Sequence, residues 1–219
     1  MLYLYGLIAR RPLPDRRGLE GAPLRRFDAT WISAVTSGLD EMPAASEENL
    51  WTHESVLEAL LQDGPVLPLR FGVAYASERE LVRELDDRGS ALGAALERVR
   101  GKVEVGVRVL DTGSHERSLP AETGPGPGTR YLLARLQRSR DAAERSQPIR
   151  DALAPLASAV RTRLLPQPDT LLSAAYLVDA GKVAAFEQAA TGIESSCDSV
   201  AVLCTGPWPP YHFVDLPAR

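Results

Sequence analysis

Residues 102–110 read Lys102-Val103-Glu104-Val105-Gly106-Val107-Arg108-Val109-Leu110, KVEVGVRVL. Valines at 103, 105, 107 and 109 alternate with Lys102, Glu104, Gly106 and Arg108. Successive side chains of a strand point to opposite faces, so this period of two predicts a β-strand with valines on a core and polar residues outward. Gly101 closes a helical pattern before it. Residues 111–129 after it hold four glycines and three prolines, the composition of a linker or long loop. The strand stands at the seam of the chain and either closes a first sheet or opens a second.

Upstream, Leu2 to Ile8 is a short run rich in β-formers and predicts an N-terminal strand. Residues 10–26, with three Arg pairs among Pro and Gly, read as a positively charged loop, either solvated or facing an anionic group. Ala29 to Thr36 predicts a second strand. Residues 40–48 form an acidic connector. Leu50, Leu57, Leu60 and Leu61 share one face of a helix over 49–62, which Gly64-Pro65 stops. Val66 to Phe71 suggests a strand that Pro68 demotes to an edge or a bulge. Ser77 and Glu80 have the spacing of a capping box. Leu92, Ala95, Leu96 and Val99 mark the helix that ends at Gly101.

Downstream, Tyr131, Leu132 and Leu136 start a long helical stretch. Ile149, Leu153, Leu156, Val160 and Leu164 continue it, with Pro155 expected to kink or break it and Pro166 and Pro168 to end it. Leu171–Val178 predicts a strand, Val183 to Ile193 a helix, and Ser199–Thr205 a last strand. Short strands alternating with helices point to an α+β fold in two domains. The expected division is 1–110, a smaller α+β domain with long helices at 111–204, and a Pro/aromatic tail at 205–219.

The chain has 219 residues, a net charge of −4 and a pI near 5.5. That balance argues against a nucleic-acid binder, which is usually basic. The start is apolar and then basic, the reverse of a signal peptide. No apolar run approaches the ~18 residues of a membrane span. The expectation is a soluble, cytoplasmic protein without membrane insertion. Cys197 and Cys204 make neither a CxxC pair nor a disulfide framework, and Cys204 reads as a small core residue.

Motifs of catalysis are missing. His53, His115 and His212 have no metal-ligand spacing, and neither HExxH, GxSxG nor GxxxxGK[ST] occurs. His53 falls on the apolar face of its helix and reads as a core-edge histidine with a local hydrogen bond. Gly124, Gly126 and Gly128 alternate with prolines that lack the amide donors of a phosphate cradle.

Two segments remain unusual, Pro65 to Gly72 (PVLPLRFG) and Thr205 to Phe213 (TGPWPPYHF). Both break or finish apolar strands with proline, and both carry aromatics. Each is either a rigid strand exit packed against its own domain or a preorganised recognition surface. The candidate partner-binding residues are Pro68, Arg70, Phe71 and Gly72 in the first. In the second they are Pro207, Trp208, Pro209, Pro210, Tyr211 and Phe213.

YLYGLI at the start, AVTS in the second strand, His53-Glu54, VLPLRFG at 66–72, GKVEVGVRV at 101–109, GPGTRYL at 126–132, AYLV at 175–178 and TGPWPPYHFV at 205–214 resemble, in order, the gas vesicle protein family GvpL/GvpF. The resemblance implies two α+β domains, the first of modified ferredoxin-like type, and a C-terminal tail. It implies a non-enzymatic accessory or minor structural component that needs no metal or organic cofactor. The implied partners are the small hydrophobic shell protein and other gas vesicle accessory proteins. The implied place is the gas vesicle, with a cytoplasmic stage before or during assembly. The competing expectation is a ligand-binding regulatory module with a small-molecule site at the domain interface. An enzyme would need titratable groups gathered in such a pocket.

Overall fold

The computed structural model describes residues 1–113, 126–162, 169–196 and 199–214. Gly124, Pro125, His115, Leu164, Pro166, Pro168 and Cys197 fall outside the described residues. The fold is mixed α and β, with two sheets and flanking helices. By contacts it divides into two compact units, Met1–Glu104 with Trp208–Arg219, and Val105–Pro207. The segment expected as a separate tail thus groups, from Trp208 on, with the first unit.

In the first unit, β1 (Leu2–Ile8) is the central strand of an antiparallel sheet with β2 (Arg25–Asp28), β3 (Ser33–Gly38) and β4 (Val66–Pro68), in the order β2-β3-β1-β4. A short β5 (Ala74–Tyr75) pairs with the start of β1. From Tyr3 to Ile8 every residue of β1 is buried, which is why its sequence is apolar on both faces instead of alternating. Gly6 permits this density. A Cβ there would lie 3.0 Å from Leu57 Cδ2, from the Leu67 carbonyl and from Val66 Cγ2.

Three helices complete the unit, α1 (Glu47–Gln62), α2 (Glu78–Asp87) and α3 (Gly89–Arg98). Ser46 caps α1 by accepting from Asn49 N, and Ser77 caps α2 by accepting from Glu80 N at 3.3 Å. Glu80 reaches back to Ala76 N, one residue before the cap. α1 buries His53, Val56, Leu57 and Leu60. Leu50, expected on that face, is exposed.

Two local expectations are corrected. β3 begins at Ser33, not Ala29. Trp31 before it is exposed and lies across Gly89, where a Cβ would come within 2.4 Å of its ring. Within the expected charged loop, Arg25–Asp28 is an edge strand. Arg26 bonds Asp28 at 2.7 Å and also the Arg11 carbonyl, so charge on an edge is paired locally.

The second sheet runs in the order β7-β8-β6-β9, from β6 (Lys102–Asp111), β7 (Ala159–Thr162), β8 (Thr170–Asp179) and β9 (Val200–Trp208). Val105, Val107 and Val109 join Ile149, Leu153 and Tyr176 in the core of the second unit. Helices α4 (Pro127–Leu153) and α5 (Val183–Ser196) belong to it. Cys204 packs partly buried against this core as a free thiol.

α4 runs through Pro148 and stops at Leu153. A 3₁₀ turn, Ala154–Leu156, holds Pro155, and the chain then enters β7. Val160 is therefore on a strand. Pro155 ends the helix because it has no amide to donate.

Candidate functional site

Pro68 lies buried at the end of β4, an edge strand as its proline demands. β4 pairs with β1 through Gly6–Pro68, Leu7–Leu67 and Ile8–Val66, and Leu69 N donates to the Tyr5 carbonyl at 2.9 Å. The chain then turns outward. Arg70 and Gly72 are exposed, and Gly72 takes φ +92°, which a side chain rarely adopts. Phe71 is half-buried, its ring 5.7 Å from Tyr3 and 5.8 Å from His53.

His53, on α1, holds this turn from inside. Its Nε2 lies 3.0 Å from the Leu69 carbonyl and its Nδ1 lies 2.8 Å from the Tyr3 hydroxyl. A carbonyl can only accept, so Nε2 carries the proton, Nδ1 accepts, and the Tyr3 O–H donates. The Tyr3 oxygen in turn accepts from Gly72 N at 3.2 Å. Gly72, Tyr3, His53 and Leu69 form one closed relay. Burial pushes the His53 pKa below its ordinary value and that of Tyr3 above its own, so both are neutral. His53 is a fully buried strut, deeper than the core-edge position expected.

The closing segment is held by the neighbouring residue. Alternation predicts that the last strand ends at Thr205, but β9 continues through Pro207 to Trp208. It can do so because β9 is the edge of its sheet. Pro207 is exposed, Trp208 half-buried, and Pro209 and Pro210 buried. A 3₁₀ turn, Tyr211–Phe213, follows, and it buries Phe213. The Tyr211 hydroxyl donates to Glu54 Oε1 at 2.6 Å. Burial raises the Glu54 pKa, with the Tyr211 bond opposing that shift. Burial, then Glu54, raises that of Tyr211.

His212 is tied to Glu104. Its backbone N–H donates to Glu104 Oε2 at 2.8 Å and its Nδ1 lies 2.7 Å from Oε1. Glu104 is 5% exposed. That corrects the expected outward polar face of β6 at this position. A buried carboxylate needs partners for both oxygens, and the closing segment brings both.

Of the candidate residues, Arg70, Gly72 and Pro207 are exposed. Phe71, Trp208 and Tyr211 are half-buried, and Pro68, Pro209, Pro210 and Phe213 are buried. Phe71 and Tyr211 pack against one cluster that includes Tyr3, Tyr5 and Leu57. Adjacent α1 residues thus brace both segments, His53 the first and Glu54 the second. Tyr3 and Glu104 lay outside the sequence-based candidates. The sequence carried no signal for Glu104, because alternation assigns it to the outward polar face. Among the described residues no three His, Cys, Asp or Glu side chains gather as a metal site, and no helix is long and apolar enough to cross a membrane.

A family model described as "Gas vesicle synthesis protein GvpL/GvpF" matches residues 1–215. The chain is 32% identical over 221 residues to gas vesicle protein F1 of Halobacterium salinarum, covering 98% of this chain and 93% of that protein. It is 30% identical over 236 residues to gas vesicle protein L of a Streptomyces species, covering 93% and 88%. The crystal structure of GvpF from Anabaena sp. PCC7120 superposes with a TM-score of 0.81 at 23% identity, covering 100% of this chain and 97% of that one. That of GvpF from Microcystis aeruginosa gives 0.79 at 23% identity, covering 98% and 99%. These two likenesses establish the fold.

Proposed function

Because this chain belongs to the GvpL/GvpF family, and so has a role in gas vesicle formation, we propose that it binds the small hydrophobic shell protein and assists nucleation or assembly of the vesicle. It acts as an accessory or minor structural component, without catalysis, beside other gas vesicle accessory proteins. It meets the shell subunit in the cytoplasm and is associated with the vesicle thereafter. The modified ferredoxin-like reading of the first domain belongs to the same proposal, and the antiparallel strand order β2-β3-β1-β4 supports it, with a 3₁₀ turn where a helix would join the first two strands.

The observation that carries this reading is the bracing of both proline–aromatic segments by α1. His53 holds the Leu69 carbonyl and Glu54 the Tyr211 hydroxyl from inside while Arg70, Gly72 and Pro207 stay exposed. A subunit whose surface must face gas aggregates unless something soluble engages it first. Rigid, proline-fixed backbone loses little entropy on docking, so it suits that task. A partner strand alongside 66–72, or an apolar segment on Trp208, is the expected mode.

The test is co-expression with the shell protein and recovery from the soluble fraction. Wild type should co-purify with it and raise its soluble yield. Arg70→Glu and Trp208→Ala should each lower recovery while melting as wild type does. Absence of any association for the wild-type chain would overturn the proposal. Undiminished recovery with both variants would move the binding surface elsewhere.

A further inference from the structure

Two exposed helix faces carry apolar side chains and opposite charge. The first is the outer side of the N-terminal turns of α1, where Leu50 is 42% and Trp51 62% exposed. Glu47 and Glu48, also exposed, sit one turn before them. From residue 27 to residue 69 the chain has no Lys or Arg at all. The second is the start of α4, where Leu132, Leu133 and Leu136 are 62%, 54% and 48% exposed. At spacings of three and four these leucines form one patch. Arg135 and Arg140 are exposed beside it, and residues 126–140 contain four arginines and no Asp or Glu.

We propose that the chain associates head to tail with a second copy of itself, the α4 face of one protomer seating on the α1 face of the next. Each face is disfavoured against its own copy, since Glu47 and Glu48 make the first acidic and the four arginines of 126–140, up to Asp141, make the second predominantly basic. A two-fold contact of either face with itself is therefore disfavoured, and the complementary pairing is the one that neutralises both. The apolar parts match as well. The leucine patch covers Trp51 and Leu50, and Arg135 or Arg140 can lie over the indole as a cation on a ring. A large aromatic ringed by charge is the usual centre of binding energy in an interface. A contact between two different faces leaves one of each unused, so it propagates into a ring or a filament instead of stopping at a dimer. This association involves the chain alone, so its outcome is read separately from shell-protein binding.

The experiment is sedimentation of the full chain over a concentration series, for wild type, Trp51→Arg, Leu136→Glu and an equimolar mixture of the two variants. Wild type should associate as concentration rises, and added salt should weaken it. Each variant alone should bind itself roughly tenfold or more weakly. The mixture should regain association but stop at dimers, because each variant keeps the face that the other has lost. Circular dichroism checks folding, with Trp51→Ser and Leu136→Ser as milder substitutes should either variant unfold. A wild-type chain that stays monomeric overturns the proposal. Variants that associate like wild type overturn it, as does a mixture no different from its components.

Discussion

The Tyr211 hydroxyl donates to Glu54 Oε1 at 2.6 Å, joining residues 157 positions apart in the chain. Tyr211→Phe removes the donor and leaves a half-buried carboxylate short of a partner. Unfolding by denaturant should show a loss of about 1–3 kcal/mol. The Glu54 pKa, already raised by burial, should climb further in that variant because the bond that opposes the shift is gone. Carbon-detected NMR titration of the carboxyl reads this directly.

Glu54 also gives stability a pH dependence. Its folded pKa lies above its ordinary value of 4.5, so its contribution is complete below 4.5 and is lost as pH rises through the raised value. Glu54→Gln removes that loss. The stability of Glu54→Gln relative to wild type should therefore improve steadily between acid and neutral pH, measured by denaturant midpoints.

His53 works in the opposite sense. Burial lowers its folded pKa below 6.5, so its contribution is complete above 6.5 and declines as pH falls through the lowered value. Acidification adds a proton to Nδ1, which then cannot accept from Tyr3. His53→Gln should flatten this decline and cost about 1–3 kcal/mol at neutral pH through the broken relay. A pH series of denaturant melts on the two proteins separates the effects.

Gly6→Ala should destabilise by about 1–3 kcal/mol through overpacking. The added methyl meets the Leu67 carbonyl at 3.0 Å, and that backbone is fixed by its pairing with β1. Thermal melting gives the difference, and Gly128→Ala, where a Cβ meets nothing within 4 Å, is the control.

Glu104→Ala should release the closing segment. His212 loses the acceptor for its backbone N–H and for its ring. Hydrogen exchange of residues 208–213 should accelerate by at least about tenfold, as expected for roughly 1.4 kcal/mol of lost protection. Peptides from β1 should keep theirs.

β1 and β6 were legible because a continuous apolar run and a strict alternation each have one simple structural meaning. β2 was hidden by Arg25 and Arg26, whose charge suits an edge but lacks apolar periodicity. β7 was hidden because Val160 sits at helical spacing from Leu153 and Leu156, and four residues are too few to show a period of two. In the site, the prolines and aromatics advertised two special segments, while their bracing did not show. Glu104 and His212 are 108 residues apart, and local pattern carries no information about such a pairing. The period that identified β6 as a strand also assigned Glu104 to solvent.

The first unit is made of the chain's opening 104 residues and of residues from Trp208 onward. A ribosome therefore delivers Glu104 108 residues before His212, and Glu54 157 residues before Tyr211. At roughly 5–20 residues per second those gaps last about 5–30 s. Until then the nascent chain holds two acidic side chains whose hydrogen-bond partners have yet to be made. Synthesis itself thus sets the order in which this unit is completed, and a chain released before Tyr211 never acquires its final brace.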